Sequence, residues 1–367
     1  RSSDLDEAEM TFAGFLLFFD PPKADAAAAL ADLAALGIRT KVISGDNRYV
    51  TAHLAAAVGL KPDAILTGTE IAAMNAEALF QRAPQTDLFV EVDPQQKERI
   101  VRALQKHGHA VGYLGDGIND APALHAADVG ISVHEAVDVA RESADIILLE
   151  RDLGVLKRGV ENGRRAFANT MKYISITTSA NFGNMISMAV VTPLLPFLPL
   201  AAKQILLNNF LSDLPSLTIS TDNVDAEQMN RAQRWRIADV QRFMVIFGLI
   251  SSVFDLVTFA VLLKVLKADA PLFQTIWFVI SLLTELAVVL VLRTRGPAWA
   301  SRPSRLLLWT TLVMSALALL SPFLGPFAAL FGFTALSLWE MGFVALIVLG
   351  YVAATEVAKR WVFRPKP

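Results

Sequence analysis

Residues Gly115-Asp116-Gly117-Ile118-Asn119-Asp120 follow the short apolar run 110–114 and place two carboxylates and two glycines in one turn. An apolar strand ending in such a turn puts its acids at the carboxyl edge of a parallel sheet, where open α/β folds bind ligands. The glycines let the backbone approach a ligand closely. Asp116 and Asp120 offer the hard oxygens that Mg2+ takes together with water and phosphate. The same residues also suit a plain tight turn with Asn119 or Asp120 as a helix cap, so the turn alone leaves both readings open.

Two more candidate strands end in turns of complementary chemistry. After 39–43, Ser44 brings a hydroxyl beside the flexible Gly45 and Asp46, and after 88–92, Lys97 brings a point positive charge. Each has a plain alternative as a cap or a solvated helix residue. A hydroxyl, a cation and paired acids at strand ends of one sheet nevertheless describe a phosphoryl-transfer pocket. No residue of this half is an evident covalent acceptor. A sheet of this kind would carry one on its first strand, which is expected upstream of Arg1.

The elements that must position these turns alternate regularly. Strands are expected at 11–19, 39–43, 64–66, 88–92, 110–114, 129–132 and 146–149, with helices at 24–36, 49–58, 72–82, 95–106, 121–126 and 136–142. Strands alternating with helices imply one parallel sheet covered on both faces. This α/β part is expected over 1–165, with 1–10 as an acidic linker.

From 166 to 367 the composition changes. The chain as a whole is 54% hydrophobic, and six apolar segments fall at about 174–191, 204–220, 243–263, 272–292, 306–324 and 338–357. A membrane helix needs ~20 mostly apolar residues, so this half is expected to be a transmembrane bundle with six spans. Basic residues concentrate at 157–172, 231–242, 293–305 and 359–366, against only Lys203, Lys264 and Lys267 in the opposite loops. The positive-inside rule then places the α/β part and the C-terminus in the cytosol. A net charge of −2 gives no reason to expect a nucleic-acid partner, and the absence of cysteine excludes disulfides and thiolate metal ligands within the chain. The five histidines, all in the first half, show no metal-ligand clustering.

The first two expected spans carry unusual polarity. Asn181 and Asn184 share one face by their spacing, as do Asn209, Ser212 and Asp213. An ionised group at the centre of a membrane helix costs ~2.5–3.5 kcal/mol on insertion scales, so Asp213 should face protein, water or an ion rather than lipid. Pro215 removes a helical hydrogen bond and can leave a carbonyl to line a cavity. These oxygens suit a hard cation or a proton relay. They also suit helix-to-helix hydrogen bonding, with Asp213 paired to some basic group. Asp255 and Glu285 are the other acids well inside apolar segments, and either could line a pathway or serve as a structural partner. Glu340 and Glu356 lie nearer the ends.

Ser44-Gly45-Asp46, the run Asp93-Pro94-Gln95-Gln96-Lys97, and Gly115–Asp120 with Ala121-Pro122-Ala123-Leu124 resemble the phosphorylation domain of P-type ATPases, of the haloacid-dehalogenase-like, Rossmann-like superfamily. The resemblance implies that Ser44 and Lys97 contact the phosphoryl group, with Gly45 and Asp46 in the same motif. It also implies that Asp116 holds the catalytic Mg2+, that Asn119 and Asp120 complete that site, and that Asp20 and Lys23 form a hinge beside the nucleotide, ATP. Ser44, Asp93 and Leu114 depart from the family pattern, which has Thr at the first, Thr or Ser at the second and Thr at the third.

Segment 208–225, Arg234-Trp235, segment 243–259 and Asn181-Phe182-Gly183-Asn184 resemble the magnesium-transporting subgroup in particular. By that resemblance Asn184 and Asp213 are intramembrane cation ligands with Asn181 and Asn209 nearby. The chain would hold the last six of ten spans and would work with an upstream part that carries the Asp-Lys-Thr-Gly acceptor motif, the actuator and nucleotide domains and four spans. Six spans argue against soft-metal pumps, and calcium and sodium/potassium pumps carry more carboxylates in these two spans. The implied protein is an ATP-driven Mg2+ pump in a bacterial inner membrane. The alternatives are a pump for H+, Ca2+ or a monovalent ion, or a non-catalytic membrane protein whose α/β domain only binds phosphate or Mg2+.

Overall fold

A computed structural model of the chain describes residues 11–15, 22–23, 25–60, 64–150, 152–230 and 232–363. It forms two compact units, Arg1–Gly159 and Val160–Pro367.

The first unit alternates α1 (Ala26–Ala35), β1 (Val42–Ile43), α2 (Arg48–Ala57), β2 (Ile65–Thr67), α3 (Gly68–Ala73), α4 (Ala76–Arg82), β3 (Leu88–Val90), α5 (Pro94–Lys106), β4 (Gly112–Leu114), α6 (Ala121–Ala126), β5 (Val129–Val133), α7 (Asp138–Ser143) and β6 (Ile146–Leu148). All pairings are parallel, since each strand returns through a helix. The strands form two three-stranded sheets, β1-β3-β2 and β4-β5-β6, and not the single sheet the alternation suggests. The division falls where β1 and β4 each pair on one side only among the described residues. Ile43 and Val111 nevertheless pack into both neighbouring apolar clusters, so the two sheets share a core.

Local chemistry sets the boundaries. Asn47 caps α2 through Tyr49 N, and Pro94 opens α5 under a capping box of Asp93 and Gln96. Asp93 thus does what Ser or Thr does at such a position: its Oδ1 accepts from Gln96 N at 2.8 Å. The helix expected at 72–82 is two helices. Thr67 and Glu70 form a capping box on α3, and Asn75 starts α4 with an N-cap of its own. β3 stops where Glu91 turns to φ 58°. Of the strand expected at 11–19, residues 11–15 have no regular structure, Gly14 has φ 142°, and Phe12 and Phe15 are exposed. Residues 16–19 lie outside the described residues.

The second unit is helical. It comprises most of α8 (Gly154–Val191), then α9 (Ala202–Thr218), α10 (Ala226–Met229), α11 (Ile237–Lys264), α12 (Ala270–Leu292), α13 (Arg305–Leu320), α14 (Gly325–Phe331) and α15 (Leu338–Val362). Among the described residues, four helical stretches are long and apolar enough to cross a membrane: α11, α12, Arg305–Phe323 and α15. The first two expected spans lie in α8 and α9, which are not among these four. α9 has 17 residues, about 26 Å at ~1.5 Å per residue against a ~30 Å hydrocarbon core, and it is interrupted by polar groups. α12 is the centre of the bundle, with Phe273, Trp277, Phe278, Leu282 and Leu286 all buried.

Gly130 on β5 tests how closely α6 packs on the second sheet. A Cβ added there would stand 2.6 Å from the carbonyl oxygen of Leu124, a backbone atom that cannot rotate away. Gly130→Ala is therefore expected to cost about 1–3 kcal/mol, as overpacking does. A shift of the first unit's denaturant midpoint would show it, and an unchanged midpoint would contradict this packing.

Candidate functional site

In the first unit the site grows from the ends of β1, β3 and β4. The turn after β1 is closed by Ser44, whose Oγ donates to Asp46 Oδ2 at 2.9 Å and accepts from Asp46 N at 3.0 Å. A Cβ on Gly45 would meet Val92 O at 3.4 Å, an ordinary contact distance. Backbone bonds tie this turn to the end of β3, with Val92 N donating to Ser44 O at 3.2 Å and Glu91 N to Asp46 O at 3.1 Å. One turn into α5, Lys97 is buried and reaches the turn after β4.

There Lys97 Nζ donates to Asp120 Oδ1 at 2.8 Å, and Tyr113 OH donates to the same oxygen at 2.8 Å. Gly117 N donates to Asp120 Oδ2 at 3.1 Å. Burial alone would raise Asp120, but the bonds from Lys97, Tyr113 and Gly117 outweigh it and hold this carboxyl below the usual carboxylate value. Burial, reinforced by Asp120, pushes the Tyr113 phenol up, so it stays a donor. Gly115 is required by contact: a Cβ there would lie 2.6 Å from Asp120 Cβ.

Asp116 and Asn119 are exposed, with no side-chain hydrogen bond among the described residues. Among those residues no group of three or more His, Cys, Asp or Glu could cage a metal. That pattern fits Mg2+, which keeps several waters and takes one or two carboxylates plus substrate phosphate. Asp116 is the carboxylate open to such an ion, whereas both oxygens of Asp120 already accept protein donors. Lys23 is exposed, and Asp20 lies outside the described residues.

In the second unit, Asn184 on α8 accepts from Ser281 Oγ on α12 at 3.4 Å. One turn along α12, Glu285 accepts from Asn208 Nδ2 on α9 at 3.2 Å, while Ser212 Oγ donates to Asn209 O at 3.2 Å. Asp213 lies close enough for its charge to act on Glu285. Asn181, Asn209 and Asp213 are exposed on the unit, so the face expected for 209, 212 and 213 divides: Ser212 turns inward with Asn208 while the other two stay open. Asn208 Oδ1 is buried without a partner. Pro215 sits inside α9, where it deprives the carbonyl four residues earlier of its helical donor.

Sequence reading missed Tyr113, Asn208, Ser281 and a buried ionic hub. Asp222, fully buried, accepts from Lys172 Nζ at 2.8 Å, from Arg293 Nη1 at 3.2 Å and from Ser304 N at 3.1 Å. Asp225 accepts from Thr294 Oγ1 at 2.7 Å and Ser301 Oγ at 2.9 Å. Lys359 is buried too, donating to Val291 O and Glu356. The positive-inside pattern accounts for Lys172, Arg293 and Lys359 only as flanking charges that set topology. The available signal was an Asp at 222 among basic residues at three apolar-segment ends.

Residues 2–128 match the haloacid dehalogenase-like hydrolase family, and residues 197–361 match the family described as cation transporting ATPase, C-terminus. Over 98% of its length the chain is 44% identical to magnesium-transporting ATPase, P-type 1, of Salmonella typhimurium, and covers 40% of that protein. The protein of that name from Escherichia coli is 44% identical, again over 98% of this chain and 40% of its own length. Calcium-transporting ATPase 1 of Bacillus cereus is 28% identical over 98% of the chain and 44% of its own length. The chain therefore spans well under half the length of these relatives. A match to the haloacid dehalogenase-like family followed by one to the cation-transporting ATPase C-terminus, with 44% identity to a P-type ATPase over 98% of the chain, means that the chain belongs to the P-type cation-transporting ATPases.

Proposed function

We propose that this chain is the carboxyl-terminal part of an ATP-driven pump that works through an aspartyl-phosphate and that its transported cation is Mg2+. The observation that carries the catalytic half of this reading is the Lys97–Asp120–Tyr113 cluster beside the open Asp116 at the end of β4. Such ATPases generally use Mg2+ and ATP. The acceptor aspartate would come from the additional polypeptide that the longer relatives possess, on a parallel strand pairing with the edges of β1 and β4 that meet no strand among the described residues.

Phosphoryl transfer needs positioning and charge neutralisation more than covalent help. Lys97 would meet phosphoryl oxygens with its remaining N–H bonds while Asp120 fixes its ammonium. The Ser44 hydroxyl, set by Asp46 and Gly45, would donate to another. Asp116, with Asn119 beside it, would hold Mg2+, which when bound supplies charge stabilisation between phosphate and acceptor. Asp20 and Lys23 would adjoin the nucleotide.

In the second unit Asn181, Asn184, Asn209 and Asp213 would face the transported ion, with Glu285 behind Asp213. Few charges and several amide oxygens suit a cation that keeps part of its water shell, as Mg2+ does. The identity to magnesium-transporting relatives supports that choice over Ca2+. The distribution of exposed basic residues supports a cytosolic α/β unit and C-terminus, in a bacterial inner membrane.

Three outcomes are expected of the intact pump. Asp116→Asn should reduce metal-dependent phosphoenzyme formation on the order of 100-fold, the scale set by losing one preorganised electrostatic group. Asp213→Asn should abolish cation-stimulated turnover yet leave phosphorylation from inorganic phosphate, and loss of both would sink its role as a transport ligand. In Tyr113→Phe, Asp120 loses one of the bonds that hold its carboxyl low. Its folded-state pKa rises, so the acid limb of the pH profile for phosphoenzyme formation should move to higher pH. An unmoved limb would show that ionised Asp120 is not required.

A further inference from the structure

Asp255 on α11 is buried among apolar helices, and no step described above uses it. Its two oxygens join three helices: Oδ2 accepts from Ser187 Oγ on α8 at 2.6 Å, and Oδ1 from Trp277 Nε1 on α12 at 3.0 Å. Among the described residues no basic group pairs with it. Close by, α8 and α11 meet backbone to backbone. A Cβ on Gly183 would stand 2.9 Å from Gly248 O, and one on Gly248 would stand 3.0 Å from Ser179 O. Ser252 Oγ on α11 donates to Gly183 O at 3.0 Å.

Of the three helices that Asp255 joins, α8 and α12 carry the polar cluster. On α8, Asn184 lies between Gly183 and Ser187. On α12, Ser281, which donates to Asn184, lies one turn beyond Trp277, and Glu285 lies one turn beyond that. Residues four apart share a helix face, so Trp277, Ser281 and Glu285 form one stripe. The Asp255 contacts therefore fix the rotation of α8 and α12 one turn away from the Asn184–Ser281 contact.

We infer that Asp255 is a positioning residue that orients Asn184 toward the transported cation through Ser187 and Trp277, and that it neither binds nor carries the ion. This rests on the proposed role of Asn184. The role needs acceptor geometry, not charge. An asparagine at 255 can keep it: its oxygen accepts from Trp277, and its N–H donates to Ser187 Oγ, whose own proton can go to Gly183 O, 2.9 Å away.

The test is Mg2+ uptake by vesicles containing the intact pump, with half-saturation and maximal rate read separately. Asp255→Asn should leave half-saturation within about 2-fold, because both contacts survive, while Ser187→Ala and Asp255→Ala should raise it about 10-fold with a smaller change in maximal rate, as loss of binding geometry does. The double variant Ser187→Ala/Asp255→Ala should be no worse than Asp255→Ala alone, because the two residues share one interaction. Loss of uptake in correctly folded Asp255→Asn would overturn the inference, since it would assign Asp255 a charge-dependent role. So would normal half-saturation in Ser187→Ala, a mild change expected to fold even if Asp255→Ala does not. Asn184→Ala, measured alongside, separates the two readings. If it leaves half-saturation unchanged, the cation site itself is misassigned; if it raises half-saturation while Ser187→Ala does not, only the positioning role fails.

Discussion

The ion pair between Lys97 and Asp120 is the contact on which the first unit depends. Lys97 sits on α5, which follows the β1-β3-β2 sheet, and Asp120 closes the turn that follows β4. The bond therefore ties the polar ends of two sheets whose strands do not pair with one another. An ammonium and a carboxylate this buried each lose hydration, and their mutual attraction compensates only when the remaining donors and acceptors are also satisfied. Tyr113 OH and Gly117 N meet that condition for Asp120. Lys97 has further N–H bonds to give, so in the proposed function the pair would serve both as a brace and as a donor to phosphate.

The same rule organises the helical unit with a different result. Asp222 is enclosed by Lys172, Arg293 and the backbone of Ser304, so the middle of α8, the segment after α9, the end of α12 and the start of α13 converge on one carboxylate. Removing one partner of such a buried pair costs roughly 3–5 kcal/mol because the other charge is stranded. A carboxylate so fully paired has little left to offer a transported ion. It fixes the geometry of the bundle at one end, and charges that look like topological markers are spent on that task.

Much of this was legible because it is local. Alternating apolar and polar segments gave the βα order, and the acidic glycine turn, Ser44 and Lys97 stood out by residue type. What escaped was pairing. Nothing in 39–43 or 110–114 says that β1 and β4 each pair on one side only, because edge status depends on which chain segment lies beside them. The break between α3 and α4 was readable in principle from Thr67, Glu70 and Asn75, but a continuous helical pattern obscured it. Nothing in the apolar run 110–114 marks Tyr113, since only the fold brings its hydroxyl to Asp120. Asn208 and Asn209 are adjacent and chemically identical, and helical spacing chose 209 as the partner of 212 and 213. Which of the two turns inward depends on where Glu285 lies, and that is a property of α12.

The degree of satisfaction also sorts the acids of the helical unit by what they can do. Asp222 accepts from two cations and a backbone N–H, and Asp255 from a hydroxyl and an indole N–H, so neither has an oxygen aimed at open space. Asp213 is exposed on α9, two residues before a proline that frees a carbonyl, and the same helix carries a buried Asn208 oxygen without a partner. Unmet oxygens inside an apolar helix bundle are costly. They persist where something else completes them, and a cation with part of its water shell can complete a carboxylate, amide oxygens and a carbonyl together. A pump must also let that cation leave, which a fully closed shell of protein charges would oppose. In the proposed function, the sparse, incompletely satisfied polarity of α8 and α9 would serve binding followed by release, whereas the closed shells around Asp222 and Asp255 hold helices in place.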